Sequence, residues 1–456
     1  MEQLTTLDAG FLQAEDSDRH VSLAIGGIAI IEGPIPDDDA LLAALGERLR
    51  AAPRFTQVLN MQPFDVGAPG WVEDPAFDLA HHLRRAALPR PGDDAALHRL
   101  AADIMERRLD RDRPLWECWI IEGLPDGRWA ILMKIHHCIA DGVSAAHVLA
   151  GLCDGDGGTF AGRIRASHPA AERPGSWLPS ANPLNWPRQA WQLSTAATGL
   201  ITRTAGGAAQ IIGGLIGSSN SSLNGPVGTL RRYAAVRVSL EDVQHVCRRF
   251  DVTVNDVALA AISEGFRSVL LGRGERPRRD SLRTLVPVSV RATDALGTPD
   301  NRVSVMLPYL PVEQDDPVQR LTSVHRRLER AKRSGQRQAG TIFVSAARYV
   351  PFAVSAWTVR LLTRLPQRGV VTLATNVPGP RHRVTIAGKT VVRLLPIPPI
   401  ALRLRVGIAM LTYADDLTFG ILADFDSARD LDVLADGIAG AVARLSAISE
   451  DAMPQG

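Results

Sequence analysis

The sequence predicts two α/β domains of similar size, joined by a long connection. Its 456 residues exceed one ordinary domain. Helical and strand patterns alternate in both halves, and the sequence has no regular repeat of roughly 20–50 residues that would indicate a repeat protein. Hydrophobic residues make up 45% and charged residues 22%, a composition typical of a globular protein with a real core. The expected division is residues 1–154, a connection at 155–230, and residues 231–456.

Hydrophobic patterning gives the elements of the first domain. A continuous apolar run predicts a buried strand at residues 21–31. Asp93 and Asp94 are suited to cap the start of a helix. The Pro-Asp-Gly turn at 125–127 separates two short strands and predicts a hairpin. After the first strand we therefore expect a helix at 39–52, a helix at 93–109, strands at 117–122 and 129–135, and a helix at 143–152.

The connection is rich in Gly, Ser, Pro and Ala between residues 155 and 228. Within it, residues 186–216 are weakly amphipathic. Two interpretations of this segment stay open: it packs against a domain, or it lies in a lipid interface.

The second domain begins near Arg231. Ser239 with Asp242 predicts a capping box, and Asn255 with Asp256 is expected to open a longer helix. The remaining expected elements are helices at 239–250 and 255–271, strands at 282–290 and 303–312, a helix at 317–333, strands at 370–376, 384–395, 405–413 and 417–425, and a last helix to 448.

Charge and cysteine usage exclude several classes of function. A formal charge of +2 is too small for a nucleic-acid-binding protein. The four cysteines include no CxxC pair, which argues against a disulfide framework and a zinc site. The first residues are acidic where a signal peptide needs a basic start, and no apolar run reaches the roughly 20 residues of a spanning helix. We expect neither a signal peptide nor a transmembrane helix.

The stretch KIHHCIADG, residues 134–142, carries the strongest chemical signal. Side chains alternate along a strand, so His136 and His137 are expected on opposite faces and cannot share a metal ion. No GxSxG elbow indicates a serine nucleophile. The option that remains is one histidine acting as a general base on a hydroxyl. The pair His81 and His82 is followed by no Asp-Gly and is interpreted as structural.

Residues 136–142 match the HHxxxDG signature of CoA-dependent acyltransferases. The chain resembles, more narrowly, the bacterial wax ester synthase/diacylglycerol acyltransferase family, and within it most closely the mycobacterial triacylglycerol synthases. The matching segments are LDAGFL at 7–12, RRLDRDRPLWE at 107–117, SSLNGP at 221–226, FDVTVNDVALAAI at 250–262, PVSVR at 287–291 and NVPGP at 376–380. They follow the family's order over nearly the whole chain.

This resemblance implies two chloramphenicol-acetyltransferase-like domains, each a mixed sheet flanked by helices, with an active-site tunnel at their interface. It implies that His137 is the general base, that His136, Asp141 and Gly142 support the motif, and that Arg291 pairs with Asp141. The residues it implies for substrate binding or its support are Asn255, Asp256, Arg291, Asn301 and Asn376. Asn255 is either a helix N-cap or a site residue at a helix N-terminus that faces the reacting carbonyl. No metal or other cofactor is implied.

The implied reaction transfers a long acyl chain from acyl-CoA to diacylglycerol and so makes triacylglycerol. Alternatives are wax ester synthesis on a fatty alcohol, a non-catalytic lipid-binding or scaffolding protein, and a condensation enzyme that uses carrier-protein thioesters. Two departures from the family, Asp300 and the basic segment 398–405, bear on acceptor specificity. Because the substrates are lipids, we expect a cytoplasmic protein bound peripherally to the inner membrane face or to lipid droplets.

Overall fold

The architecture comes from a computed structural model, which describes residues 2–4, 6–50, 52–61, 68–139, 152–154, 221–289, 303–333, 369–401 and 403–451. The expected helix at 143–152 and the amphipathic segment at 186–216 lie outside these residues, except for residue 152. Within the described part of the chain, no helix is long and apolar enough to cross a membrane.

Helices and strands alternate through both halves, as the sequence predicts. The helices are α1 (Thr6–Ser17), α2 (Asp38–Arg50), α3 (Asp94–Glu106), α4 (Leu240–Phe250), α5 (Val254–Gly272), α6 (Pro317–Arg333) and α7 (Leu431–Asp451). The strands are β1 (Glu2–Gln3), β2 (Ala24–Ile31), β3 (Gln57–Asn60), β4 (Gly70–Glu73), β5 (Leu83–Ala87), β6 (Trp116–Glu122), β7 (Trp129–His136), β8 (Arg231–Ser239), β9 (Thr284–Ser289), β10 (Val303–Met306), β11 (Thr372–Pro378), β12 (Thr385–Ile386), β13 (Lys389–Ile397), β14 (Val406–Tyr413) and β15 (Asp416–Asp424).

These strands form two large mixed sheets and one small sheet. The first large sheet has the order β12-β13-β2-β7-β6-β5, and the second has the order β10-β9-β11-β14-β15-β8. The small sheet has the order β1-β4-β3. The expected hairpin is present, because β6 and β7 pair antiparallel. Strand β7 is buried along its whole length, as expected for a central strand covered on both faces.

Strand β13 belongs to the second half of the chain but joins the first sheet. The sequence predicts one strand at 384–395; the structure has a hairpin, because Ala387 and Gly388 both adopt positive φ and turn the chain. After this turn β13 pairs with β2 in the first sheet. The predicted domain boundaries stay a prediction. They follow the order of the chain, in which the pairing of β13 with the first sheet is not visible.

The crossover strand is packed closely against the second sheet. Gly420 on β15 lies so near that a Cβ there would be 1.6 Å from the Pro396 carbonyl oxygen. The Tyr233 hydroxyl donates to the same carbonyl at 3.0 Å. On the other side, Arg393 makes two hydrogen bonds to Asp94 at the start of α3, at 2.7 and 2.8 Å. Backbone contact and side-chain bonds therefore hold the two halves in one arrangement.

Helix α5 begins with a cap that differs from one expectation. Thr253 is the N-cap, because its side chain accepts a bond from the Asp256 amide and the Asp256 side chain accepts one from the Thr253 amide. This reciprocal pair is a capping box. The interpretation of Asn255 as an N-cap is therefore wrong, and Asn255 lies within the first turn.

Candidate active site

The histidine pair lies where β7 ends between its two neighbours in the sheet. The His136 amide donates to the Leu115 carbonyl at 2.9 Å, and the His137 amide donates to the Leu23 carbonyl at 3.0 Å. The Ile139 amide then donates to the His136 carbonyl at 3.0 Å and closes a turn. The backbone of the histidine pair is thus fixed from both sides, by Leu23 just before β2 and by Leu115 just before β6.

Both histidine rings contact the same helix, α1. The ring centroids of Phe11 and His137 are 4.1 Å apart, and Glu15 Oε2 is 3.5 Å from His136 Nε2. Phe11 and Glu15 are four residues apart, so they share one face of α1. The expectation of opposite faces is wrong here, because the strand ends at His136 and a turn carries His137.

His136 is buried, its Nδ1 is hydrogen-bonded, and its Nε2 lies near a carboxylate. Its Nδ1 accepts a hydrogen bond from the Cys138 amide at 3.2 Å, and the Cys138 Sγ lies 3.0 Å from the same nitrogen. Its Nε2 lies 3.5 Å from Glu15 Oε2 and makes no hydrogen bond within the described part of the chain. These contacts suit a residue that supports the turn rather than one that meets a substrate.

Glu15 is a buried carboxylate with three partners. Oε1 accepts from the Leu23 amide at 3.0 Å, and Oε2 accepts from Arg111 at 2.9 Å. Burial by itself would raise the pKa of Glu15, but its contacts with His136, Arg111 and the backbone lower that pKa to about 2. The carboxylate is therefore ionised at neutral pH.

His137 has the electrostatics of a neutral base. Burial is the largest cause that lowers the pKa of His137 to about 4; a hydrogen bond with its own backbone opposes this, and a still smaller repulsion from His136 adds to the lowering. The residue keeps some exposed surface, although its Nδ1 is buried and has no hydrogen-bonding partner among the residues that the structure describes. A neutral imidazole can accept a proton from a hydroxyl.

Cys138 is not suited to act as a nucleophile. Burial raises the pKa of its thiol well above the ordinary range, so the reactive thiolate does not form at neutral pH. The second histidine pair also behaves as expected for structural residues. His82 is buried, its Nδ1 is 2.8 Å from the Trp116 carbonyl oxygen, and its ring stacks on Trp116 with centroids 4.4 Å apart.

The other described site candidates form a separate group in the second half of the chain. Asn376 on β11 donates from its amide to Asn255 Oδ1 at 2.6 Å. Asp256 is buried, caps α5, and lies 3.0 Å from His325 on α6. In the described ranges no hydrogen bond or ion pair joins this group to the histidine pair. Asp141, Gly142, Arg291 and Asn301 lie outside the described residues.

Sequence reasoning missed the two residues of α1 that contact the histidines. The segment LDAGFL carried a family resemblance, but it was not assigned to a helix, and Glu15 lies beyond its end. A helical reading would have placed Phe11 and Glu15 on one face. No group of three or more potential metal ligands occurs among the residues that the structure describes.

Comparison with known proteins identifies the family. The model of the wax ester synthase/diacylglycerol acyltransferase catalytic domain matches residues 4–258, and that of the C-terminal domain of the same family matches residues 300–446. The chain belongs to this family. It is similar to a probable diacylglycerol O-acyltransferase of Mycobacterium tuberculosis, with 58% identity over 454 residues, covering 99% of this chain and 97% of that protein.

Solved structures show the fold of the family. The wax ester synthase/diacylglycerol acyltransferase from Marinobacter aquaeolei VT8 matches with a TM-score of 0.68 and 25% identity, covering 98% of this chain and 100% of that one. The first condensation domain of the calcium-dependent antibiotic synthetase matches with a TM-score of 0.61 and 16% identity, covering 98% and 96%, a likeness of fold alone. The expectation of two chloramphenicol-acetyltransferase-like domains with mixed sheets is confirmed; the tunnel stays a prediction.

Proposed function

We propose that this protein is an acyl-CoA:diacylglycerol O-acyltransferase that makes triacylglycerol, with His137 as the general base. The observation that carries the proposal is a neutral imidazole held at a strand end, in a chain 58% identical to a probable diacylglycerol O-acyltransferase. The His137 Nε2 accepts the proton of the acceptor hydroxyl as the oxygen attacks the thioester carbonyl. The tetrahedral intermediate then collapses, the carbon–sulfur bond breaks, and the CoA thiolate takes up the proton from His137.

A thioester is already activated, so this route needs no covalent enzyme intermediate. It needs a positioned base and donors for the developing oxyanion. The side-chain amides of Asn255 and Asn376 are joined by a hydrogen bond of 2.6 Å. They are our candidates for residues that support substrate binding in the second half of the chain. We also propose the pair of Arg291 with Asp141 that the family resemblance implies. If that pair is buried, Arg291→Met costs about 3–5 kcal/mol of stability.

Diacylglycerol is favoured over a fatty alcohol as the acceptor. The relative named only as a diacylglycerol acyltransferase is 58% identical, whereas the Marinobacter protein, named for both activities, is 25% identical. We therefore propose wax ester synthesis as a side activity. Ile400, within the basic segment 398–405, bridges to Ser22, which is next to the Leu23 carbonyl that accepts from the His137 amide.

The test compares two acceptors, a diacylglycerol and a long-chain alcohol, with a reaction that contains no acceptor, all at one concentration of a long-chain acyl-CoA. We expect triacylglycerol and free CoA with the diacylglycerol, and a loss on the order of 10²–10⁴ in rate for His137→Ala. The matched control is His81→Ala, which removes an exposed histidine from the other pair. Unchanged turnover in His137→Ala refutes the base assignment. Turnover only with an acyl carrier-protein thioester favours the condensation alternative, and binding without turnover favours a lipid-binding protein.

We propose further that the protein associates peripherally with a membrane or lipid-droplet surface, because both the acceptor and the product are lipids. Flotation with vesicles of phospholipid and diacylglycerol tests this. We expect the protein to rise with the vesicles. Its complete recovery in the soluble fraction at every lipid concentration contradicts the proposal.

A further inference from the structure

The Glu15 carboxylate is a costly group to bury, and its partners show how it is compensated. Its side chain is 2% exposed, as is that of His136. A buried charge must be paired and hydrogen-bonded to be tolerated. Arg111 supplies the opposite charge, and the Leu23 amide supplies a hydrogen bond. Besides Arg111, Oε2 also faces His136, with Nε2 of that ring 3.5 Å away.

The contacts of His136 determine which of its nitrogens carries the proton. The Cys138 amide donates to Nδ1, so Nδ1 has no hydrogen and must present its lone pair. The hydrogen of the neutral ring is then on Nε2, which faces Glu15 Oε2 at 3.5 Å. A carboxylate is an acceptor only and favours this tautomer, because it cannot face an Nε2 lone pair without repulsion.

The bond that Nδ1 accepts belongs to the turn that carries His137. The same turn is closed by the Ile139 amide on the His136 carbonyl, and His137 lies between these two bonds. If His136 changed to the tautomer with hydrogen on Nδ1, that nitrogen and the Cys138 amide would present two donors to each other. The Cys138 amide would lose its acceptor, while Nδ1 could donate to the Cys138 Sγ at 3.0 Å, so the turn that carries His137 would lose one of its two bonds.

We propose that Glu15 is a positioning residue for the acyl transfer reaction: it holds His136 in the Nε2–H tautomer, so that the Cys138 amide stays bound and the His137 ring keeps its place against Phe11. The inference rests on the proposed function for its kinetic part only. The tautomer of His136 is measurable whether or not the protein has acyltransferase activity.

Glu15→Gln tests the inference with the smallest change in shape. A glutamine has one acceptor oxygen, for which the Leu23 amide and Arg111 compete, and its NH₂ group is left to face His136 Nε2. That donor favours the opposite tautomer. We expect kcat to fall on the order of 10²-fold, the usual scale for misplacement of a catalytic group by about 1 Å, with little change in the KM for acyl-CoA.

Asp16→Asn is the matched control. Asp16 is the next residue of α1, is the second carboxylate bound by Arg111, at 2.7 Å, and is exposed. Its substitution also removes one negative charge beside Arg111 but leaves His136 untouched. We expect kcat within about twofold of the wild type, because exposed ion pairs contribute little.

A double variant keeps the test informative if Glu15→Gln is unstable. Glu15→Gln with Arg111→Gln removes both charges of the buried pair, which is often far less costly than removing one. We expect the double variant to recover thermal stability but not kcat. Recovery of both would show that Glu15 only balances Arg111, and would overturn the proposal.

The decisive readout is the tautomer itself, from long-range ¹H–¹⁵N correlation spectra of protein labelled at histidine, with the signal assigned through His136→Gln. We expect the Nε2–H pattern in the wild type and Asp16→Asn, and its loss in Glu15→Gln. An unchanged pattern in Glu15→Gln refutes the proposal. A changed pattern in a protein whose wild type transfers no acyl group supports the link from Glu15 to His136 and refutes the proposed function instead.

Discussion

Burial of His137 leads to a specific prediction about pH. An ordinary histidine has a pKa near 6.5, so at pH 5.5 only about 9% of it is neutral, whereas a pKa of about 4 leaves about 97% neutral. If His137 is the base, kcat/KM at pH 5.5 stays close to its value at pH 7.5. The assay is initial-rate release of CoA across this range at low acyl-CoA concentration, since kcat/KM reports the free enzyme.

The same shift has a cost in stability. The unfolded chain takes up a proton on this histidine below about pH 6.5, and the folded chain does so only near pH 4, so the contribution of His137 to stability falls as the pH falls between these values. The full difference is about 3 kcal/mol, of which about 1 kcal/mol is lost by pH 5.5. Urea unfolding of the wild type and His137→Asn at both pH values measures it, with His81→Asn as the exposed control. A roughly tenfold fall in kcat/KM at pH 5.5, with the same pH dependence of stability in both proteins, refutes this reasoning.

Other predictions concern how the two halves are held together. Gly420→Ala should destabilise the protein by about 3 kcal/mol or more, because the new Cβ meets the Pro396 carbonyl oxygen. Gly272→Ala, whose Cβ meets no atom of the described ranges within 4 Å, should be neutral or stabilising, and thermal unfolding compares the two variants. Asp154→Asn should cost about 1–3 kcal/mol in urea unfolding, since Asp154 accepts from Arg48 at 2.8 Å and from the Gly388 amide at 2.6 Å. Equal stability of the wild type and Gly420→Ala, or of the wild type and Asp154→Asn, would contradict the corresponding prediction.

Local pattern predicted much of the fold. The helix caps at Asp93 and Ser239 are present, and each side chain accepts a bond from the amide three residues on. The hairpin before the histidine pair follows from a turn between two apolar runs. These features depend on residues close in sequence, and for that reason a single sequence reveals them.

Features that depend on distant residues were not predictable in the same way. The pairing of β13 with β2 joins residues about 365 positions apart, as in Leu394 opposite Ala29, and no local pattern specifies it. The role of α1 is similar. Its apolar residues were visible, but only the packing of the helix under the end of β7 brings Glu15 to His136. Sequence identified the histidines through a signature, whereas their supports are set by tertiary packing.

The contacts of the two histidines support the proposed roles, with His137 as the base and His136 as its support. Both rings contact α1, but His136 lies against the Glu15 carboxylate and His137 packs against the apolar ring of Phe11. The carboxylate fixes a tautomer and holds a turn, whereas the apolar ring adds to the burial that keeps the imidazole neutral without occupying a ring nitrogen by a hydrogen bond. His137 is therefore left with a lone pair available for a hydroxyl proton. The division of labour between adjacent histidines thus follows from two side chains one helical turn apart on α1.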